Sequence, residues 1–105
     1  MKVGIKVGLK GDSLADIAAT GPDFVEVWYH SGKINEYNDF LPAVAKTGTE
    51  IGLHFWGALP DATLANLAYP DNSVIEETYT LVQKTIDVAA QYKCWYVNIH
   101  PGAAR

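Results

Sequence analysis

The sequence predicts an α/β protein of parallel β/α units, and three observations carry that prediction. Four short runs rich in Val, Ile and aromatic residues recur along the chain. Between successive runs lie stretches with apolar residues at helical spacing, and Gly, Pro, Asn or Asp marks the boundaries. Strands that alternate with helices pair in parallel through right-handed crossovers. The order β-α-β-α-β-α-β suits either a doubly wound sheet or part of a β/α barrel, since four strands fall short of the eight that close one. Parallel sheets are normally covered on both faces.

The elements follow in order. KVGIKVGL, residues 2–9, reads as the first strand, closed by Lys10-Gly11. Asp12-Ser13 starts a helix with Leu14, Ile17 and Ala18 on its apolar side, stopped at Thr20-Gly21-Pro22. FVEVWYH, residues 24–30, is the second strand. A second helix is expected over residues 34–46, with Ile34, Tyr37, Leu41 and Val44 on one stripe and Gly48 as its terminator. Pro42 should kink or restart it, because proline lacks the amide hydrogen. EIGLHFW, residues 50–56, is the third strand. Ser73 and Glu76 form a capping-box pattern ahead of the longest helix, where Ile75, Tyr79, Val82, Ile86 and Ala89 recur at steps of four and three. WYVNIH, residues 95–100, is the fourth strand, and Pro101-Gly102 breaks it.

Composition narrows the class. A chain of 105 residues with 49% hydrophobic and 19% charged residues reads as one globular domain, residues 1–105, with no linker and no repeat. Its net charge of −4 and eight scattered Lys and Arg residues offer no phosphate-tracking patch, which makes DNA a less expected partner. Cys94 stands alone and cannot form an internal disulfide, so it reads as a structural thiol in a reducing compartment, the cytoplasm by default. No stretch approaches the roughly 20 apolar residues that cross a bilayer.

Chemistry is expected where parallel strands end, because ligands bind at their carboxyl ends. His54 lies near the end of the third strand and His100 ends the fourth. Neighbouring strands lie about 4.8 Å apart, close enough for two imidazoles to share one divalent ion. Against that stands the plain alternative of hydrogen-bonded histidines. Asn98 shares the face of His100 and is a candidate for substrate contact. Glu26 is a candidate catalytic acid if it turns inward and a helix contact if it turns outward. Lys6 is a candidate for proton transfer or phosphate binding, or a solvated lysine. Trp28 and Trp56 stand at strand ends as pocket wall or core, and His30 is expected to be exposed. The long segment after His54 carries Phe55, Trp56, Leu64, Leu67 and Tyr69, enough apolar surface for an ordered lid or a structural plug.

The segment LHFW…LANLAYPD…IEETYTLVQKTIDVAAQYKCWYVNIHPG resembles the xylose isomerase-like barrels, above all their endonuclease IV-type branch. The resemblance spans essentially the whole chain and is most specific over residues 53–102. It implies the N-terminal half of a TIM (β/α)8 barrel, and it implies that His54 and His100 ligate a divalent metal, zinc or manganese. Two departures stand out. Gly57 occupies the place of a DNA-contacting aromatic three positions after His54, and HSGKIN is short and not basic where the branch has its DNA-inserting loop. The resemblance thus implies a metal-dependent isomerase or epimerase acting on a small sugar or sugar phosphate. Alternatives are an endonuclease IV-like phosphodiesterase and a non-catalytic half-barrel that self-associates. Half a barrel needs its other half, supplied either by chain beyond Arg105 or by a second copy in a homodimer.

Overall fold

Alternation along the second and third strands decides which way each side chain faces. Val25, Val27 and Tyr29 are fully buried, as is Leu53, with Ile51 and Phe55 nearly so, while Glu26 and His54 between them are partly open and Trp28 is exposed. The structure, a computed structural model, describes residues 1–59, 65–67 and 71–100. It is an α/β fold with strands β1 (Gly4–Val7), β2 (Phe24–His30), β3 (Glu50–Trp56) and β4 (Val97–Asn98), and helices α1 (Ser13–Thr20), α2 (Tyr37–Ala45) and α3 (Asn72–Gln91).

All neighbouring strands are parallel, in the order β1-β2-β3-β4. Sequential order with crossovers of one hand puts every helix on the same side of the sheet. The buried cluster agrees with this. It joins Val25, Val27, Tyr29, Ile51 and Leu53 of the sheet to Ile17 of α1, Tyr37, Leu41 and Val44 of α2, and Ala89 of α3. Each fully buried aliphatic side chain there contributes on the order of 1.5–3 kcal/mol. Helices cover one face only among the described residues. The other face carries Lys6, Phe24, Glu26, Trp28, His54, Trp56, Tyr96 and Asn98, so the two-sided covering expected of a parallel sheet is absent here.

Local chemistry sets the boundaries. Asp12 caps α1 by accepting from the Ala15 amide, and Gly21 ends it in the left-handed conformation. Leu14, expected on the core side, is exposed, and Ser13 is buried in its place, bonded to the Gly8 carbonyl. A 3₁₀ turn, Ser31–Glu36, occupies the start of the expected second helix. Pro42 lies inside α2, which carries on through it to Ala45. Asp71 rather than Ser73 caps α3, accepting from the Ser73 amide and hydroxyl. Beyond α3, Lys93 is left-handed, and the Cys94 amide bonds back to the Ala89 carbonyl at 2.8 Å. Strand β1 is shorter than expected, and β4 spans two of the six expected residues, although the Trp95 amide and the Tyr96 carbonyl also bond to the β3 backbone at Ile51 and Leu53. Leu64, Tyr69, Pro101 and Gly102 lie outside the described residues.

Candidate metal and substrate site

The open face is organised by register. Lys6, Glu26 and Gly52 lie side by side on β1, β2 and β3, and Trp28, His54 and Asn98 form the next row toward the carboxyl ends. Tyr96 shares the parity of Asn98 and His100 and lays its ring across Gly52, where a Cβ atom would meet the ring at 2.2 Å. Glycine therefore clears the sheet surface for a phenol arriving from the neighbouring strand.

Glu26 turns toward this open face and away from the helices, the inward of its two expected orientations. One carboxylate oxygen, Oε2, accepts from the Tyr96 hydroxyl at 2.7 Å. The other, Oε1, lies 3.2 Å from His54 Nδ1 and 3.9 Å from Lys6 Nζ. Beyond His54, its Nε2 meets His100 Nε2 at 2.8 Å. The chain of groups runs Tyr96–Glu26–His54–His100, with Lys6 at its margin and 76% exposed.

Desolvation lowers the His54 pKa, opposed by the negative charge of Glu26 and aided by His100 and Lys6. The neutral imidazole, the form that ligates metals, is thus favoured. Desolvation and the bond to Glu26 push the Tyr96 phenol up to about 12, which keeps its proton available for donation.

The donor chemistry suits a divalent ion in part. Two ligands about 2.0–2.1 Å from a tetrahedral ion sit about 3.3 Å apart, so the imidazoles need to separate by about 0.5 Å to admit one. A carboxylate on the far nitrogen of a ligating histidine is the usual supporting arrangement. No cluster of three or more metal-ligating side chains occurs among the described residues, and a pair alone would be half of a four-coordinate shell.

Aromatic groups wall the site on its carboxyl side. Trp28 and Trp56 stand with ring centroids 5.9 Å apart, and Trp28 is 40% exposed. They line the open face and take no part in the core. Tyr37 holds this end of β2 by accepting from the His30 amide and donating to the Trp28 carbonyl. His30, expected to be exposed, is partly buried and accepts from the Gly32 amide. Ser31 ties the two strand ends together, accepting from the Ala58 amide at 2.8 Å. Gly57 packs against Ala65 and Phe55, and a Cβ there would lie 2.3 Å from that of Ala65.

Among the candidates, Glu26, His54 and His100 come together, with Lys6 beside them. Asn98 pairs with His54 in register, and Trp56 stands two residues further along β3. Sequence reasoning passed over Tyr96 and Gly52. The signal available was parity, since Tyr96 alternates with Asn98 and His100, and Gly52 with His54. Comparison of the chain with known protein families, with curated proteins and with solved structures finds no match in any of the three.

Proposed function

We propose that the chain is the first half of a xylose isomerase-like β/α barrel whose His54 and His100 hold a divalent metal, zinc or manganese, for isomerisation or epimerisation of a small sugar or sugar phosphate. The observation that carries this reading is the 2.8 Å approach of the two Nε2 atoms with Glu26 behind His54. Sequential strand order and helices on one face support the barrel over a doubly wound sheet.

When bound, the metal supplies Lewis acidity toward a hydroxyl–carbonyl pair. The chain's own residues do the rest. His54 and His100 donate imidazole nitrogens, and Glu26 holds His54 in orientation. Trp28 and Trp56 offer an apolar wall that keeps water from one side of a sugar ring. Asn98 lies at the same level as His54 and can hydrogen-bond a substrate hydroxyl. Lys6 Nζ is the exposed proton carrier nearest the cluster.

Phosphodiester cleavage is disfavoured by two observations. The tight packing at Gly57 leaves no room for an aromatic side chain, and the chain carries a net charge of −4. The covering of the open face and of the free sheet edges falls to further β/α units, from continuing chain or a second copy. A reducing cytoplasmic setting suits the lone cysteine, and no helix among the described residues is long and apolar enough to cross a membrane.

The test is metal content. Protein purified with zinc or manganese and then dialysed should retain the ion by elemental analysis, and His54→Ala or His100→Ala should lose at least 90% of it. Full metal content in both variants would overturn the assignment.

A further inference from the structure

We infer that Tyr96 and Glu26 are positioning residues that fix His54 in its Nδ1–H tautomer, with Gly52 as the opening that lets the phenol reach the carboxylate. The argument is one of donors and acceptors. An ionised carboxylate only accepts, and the Tyr96 hydroxyl already donates to Oε2 at 2.7 Å. His54 Nδ1 faces Oε1 at 3.2 Å, a contact that is favourable when that nitrogen carries the hydrogen. A neutral imidazole has one such hydrogen, so Nε2 presents its lone pair toward His100. Two strands and the approach to a third contribute to the device: Glu26 from β2, Gly52 and His54 from β3, and Tyr96 just before β4.

Each part has a distinct task. Without the phenol, Oε2 is unopposed and the carboxylate is free to swing toward Lys6 Nζ, 3.9 Å from Oε1. Any side chain at Gly52 displaces the phenol, because the nearest ring atom lies 2.2 Å from where its Cβ would stand. Tyr96→Phe and Gly52→Ala thus remove the same hydrogen bond by different routes. The value of the tautomer for metal binding rests on the reading proposed above, whereas the tautomer itself does not.

The experiment is nitrogen-15 NMR of histidine-labelled protein at pH 8 with chelator present, followed by zinc titration. Two-bond couplings should report His54 as Nδ1–H in the unaltered protein. Tyr96→Phe and Gly52→Ala should each shift it toward the Nε2–H form and weaken zinc binding by about 10–100-fold. Finding His54 as Nε2–H in the unaltered protein overturns the inference, and that measurement needs no variant to fold. An unchanged tautomer in a folded Tyr96→Phe protein, verified by circular dichroism, overturns it equally. The expected tautomer without any zinc binding supports the positioning device and sinks the metal reading instead.

Discussion

Tyr29 carries a buried hydroxyl without a hydrogen-bond partner among the described residues, and burial raises its pKa. A buried group that lost its water and gained no partner is a standing cost of about 1–3 kcal/mol. Tyr29→Phe should therefore leave thermal stability unchanged or raise it, by calorimetric melting, although the ring lies fully buried against Tyr37. Titration behaviour gives a second prediction. Desolvation pushes the Cys94 thiol up from 9.0 to about 11, and Tyr96 rises from 10.0 to about 12. Both are neutral below those values, so folding holds their contribution at pH 8 and loses it as pH climbs from about 9 to about 12. Urea midpoints should fall across that window, and Cys94→Ala should soften the fall on its lower side. At the same scale, the two histidines were legible because each stands near a strand end. The partners of Glu26 were not. Alternation in FVEVWYH says that Glu26 opposes Val25 and Val27, but which face the helices cover is decided by the crossovers, outside the strand.

Helix α3 buries only part of the stripe its apolar periodicity selects: Ala89 is buried and Ile75 and Val82 are half-buried, whereas Tyr79 and Ile86 are exposed. Thr78, Thr85 and Ala89 are buried, with Leu81, Val88 and Tyr92 partly so, while Tyr79 is 62% exposed and Ile86 46%. The reason lies in the threonines. Their hydroxyls bond to the carbonyls of Val74 and Leu81 one turn back, and that of Thr78 also accepts from the Asn66 amide, so both can be buried with the polar atom satisfied. A pattern that scores threonine as polar selects the neighbouring stripe. Ile86→Lys should accordingly cost less than about 0.5 kcal/mol in denaturant unfolding. Leu53→Ala, in the fully buried sheet face, should cost about 2–5 kcal/mol. The end of α3 offers a gain. Lys93 holds a left-handed conformation at φ 55° that glycine adopts without strain, and Lys93→Gly should add about 1 kcal/mol.

At the scale of the molecule, parallel β/α alternation was written in the sequence, and strand order was not. Sequential and reversed orders use the same segments, and only tertiary packing separates them. The sheet is paired unevenly. β2 and β3 share seven matched residues, whereas β4 meets β3 at two, Leu53 with Val97 and His54 with Asn98. The polar flank of α3, with Glu77 and Thr80, lines a groove beside Ser31, Gly32 and Ala58. Tyr79 and Ile86 do not line that groove and are exposed. Amide exchange should thus be slowest in β2 and fastest in β4.

That unevenness bears on the histidine pair itself. His54 rides on β3, which is matched along seven residues to β2, and His100 stands two residues past β4, which is matched at two. Any ion gripped by both rings would act as a clasp, fastening the loosest thread of the sheet to one of its firmest. Saturating zinc should consequently slow exchange at Val97 and Asn98 far more than at Val25 or Val27, so that loading the site and finishing the sheet become a single event.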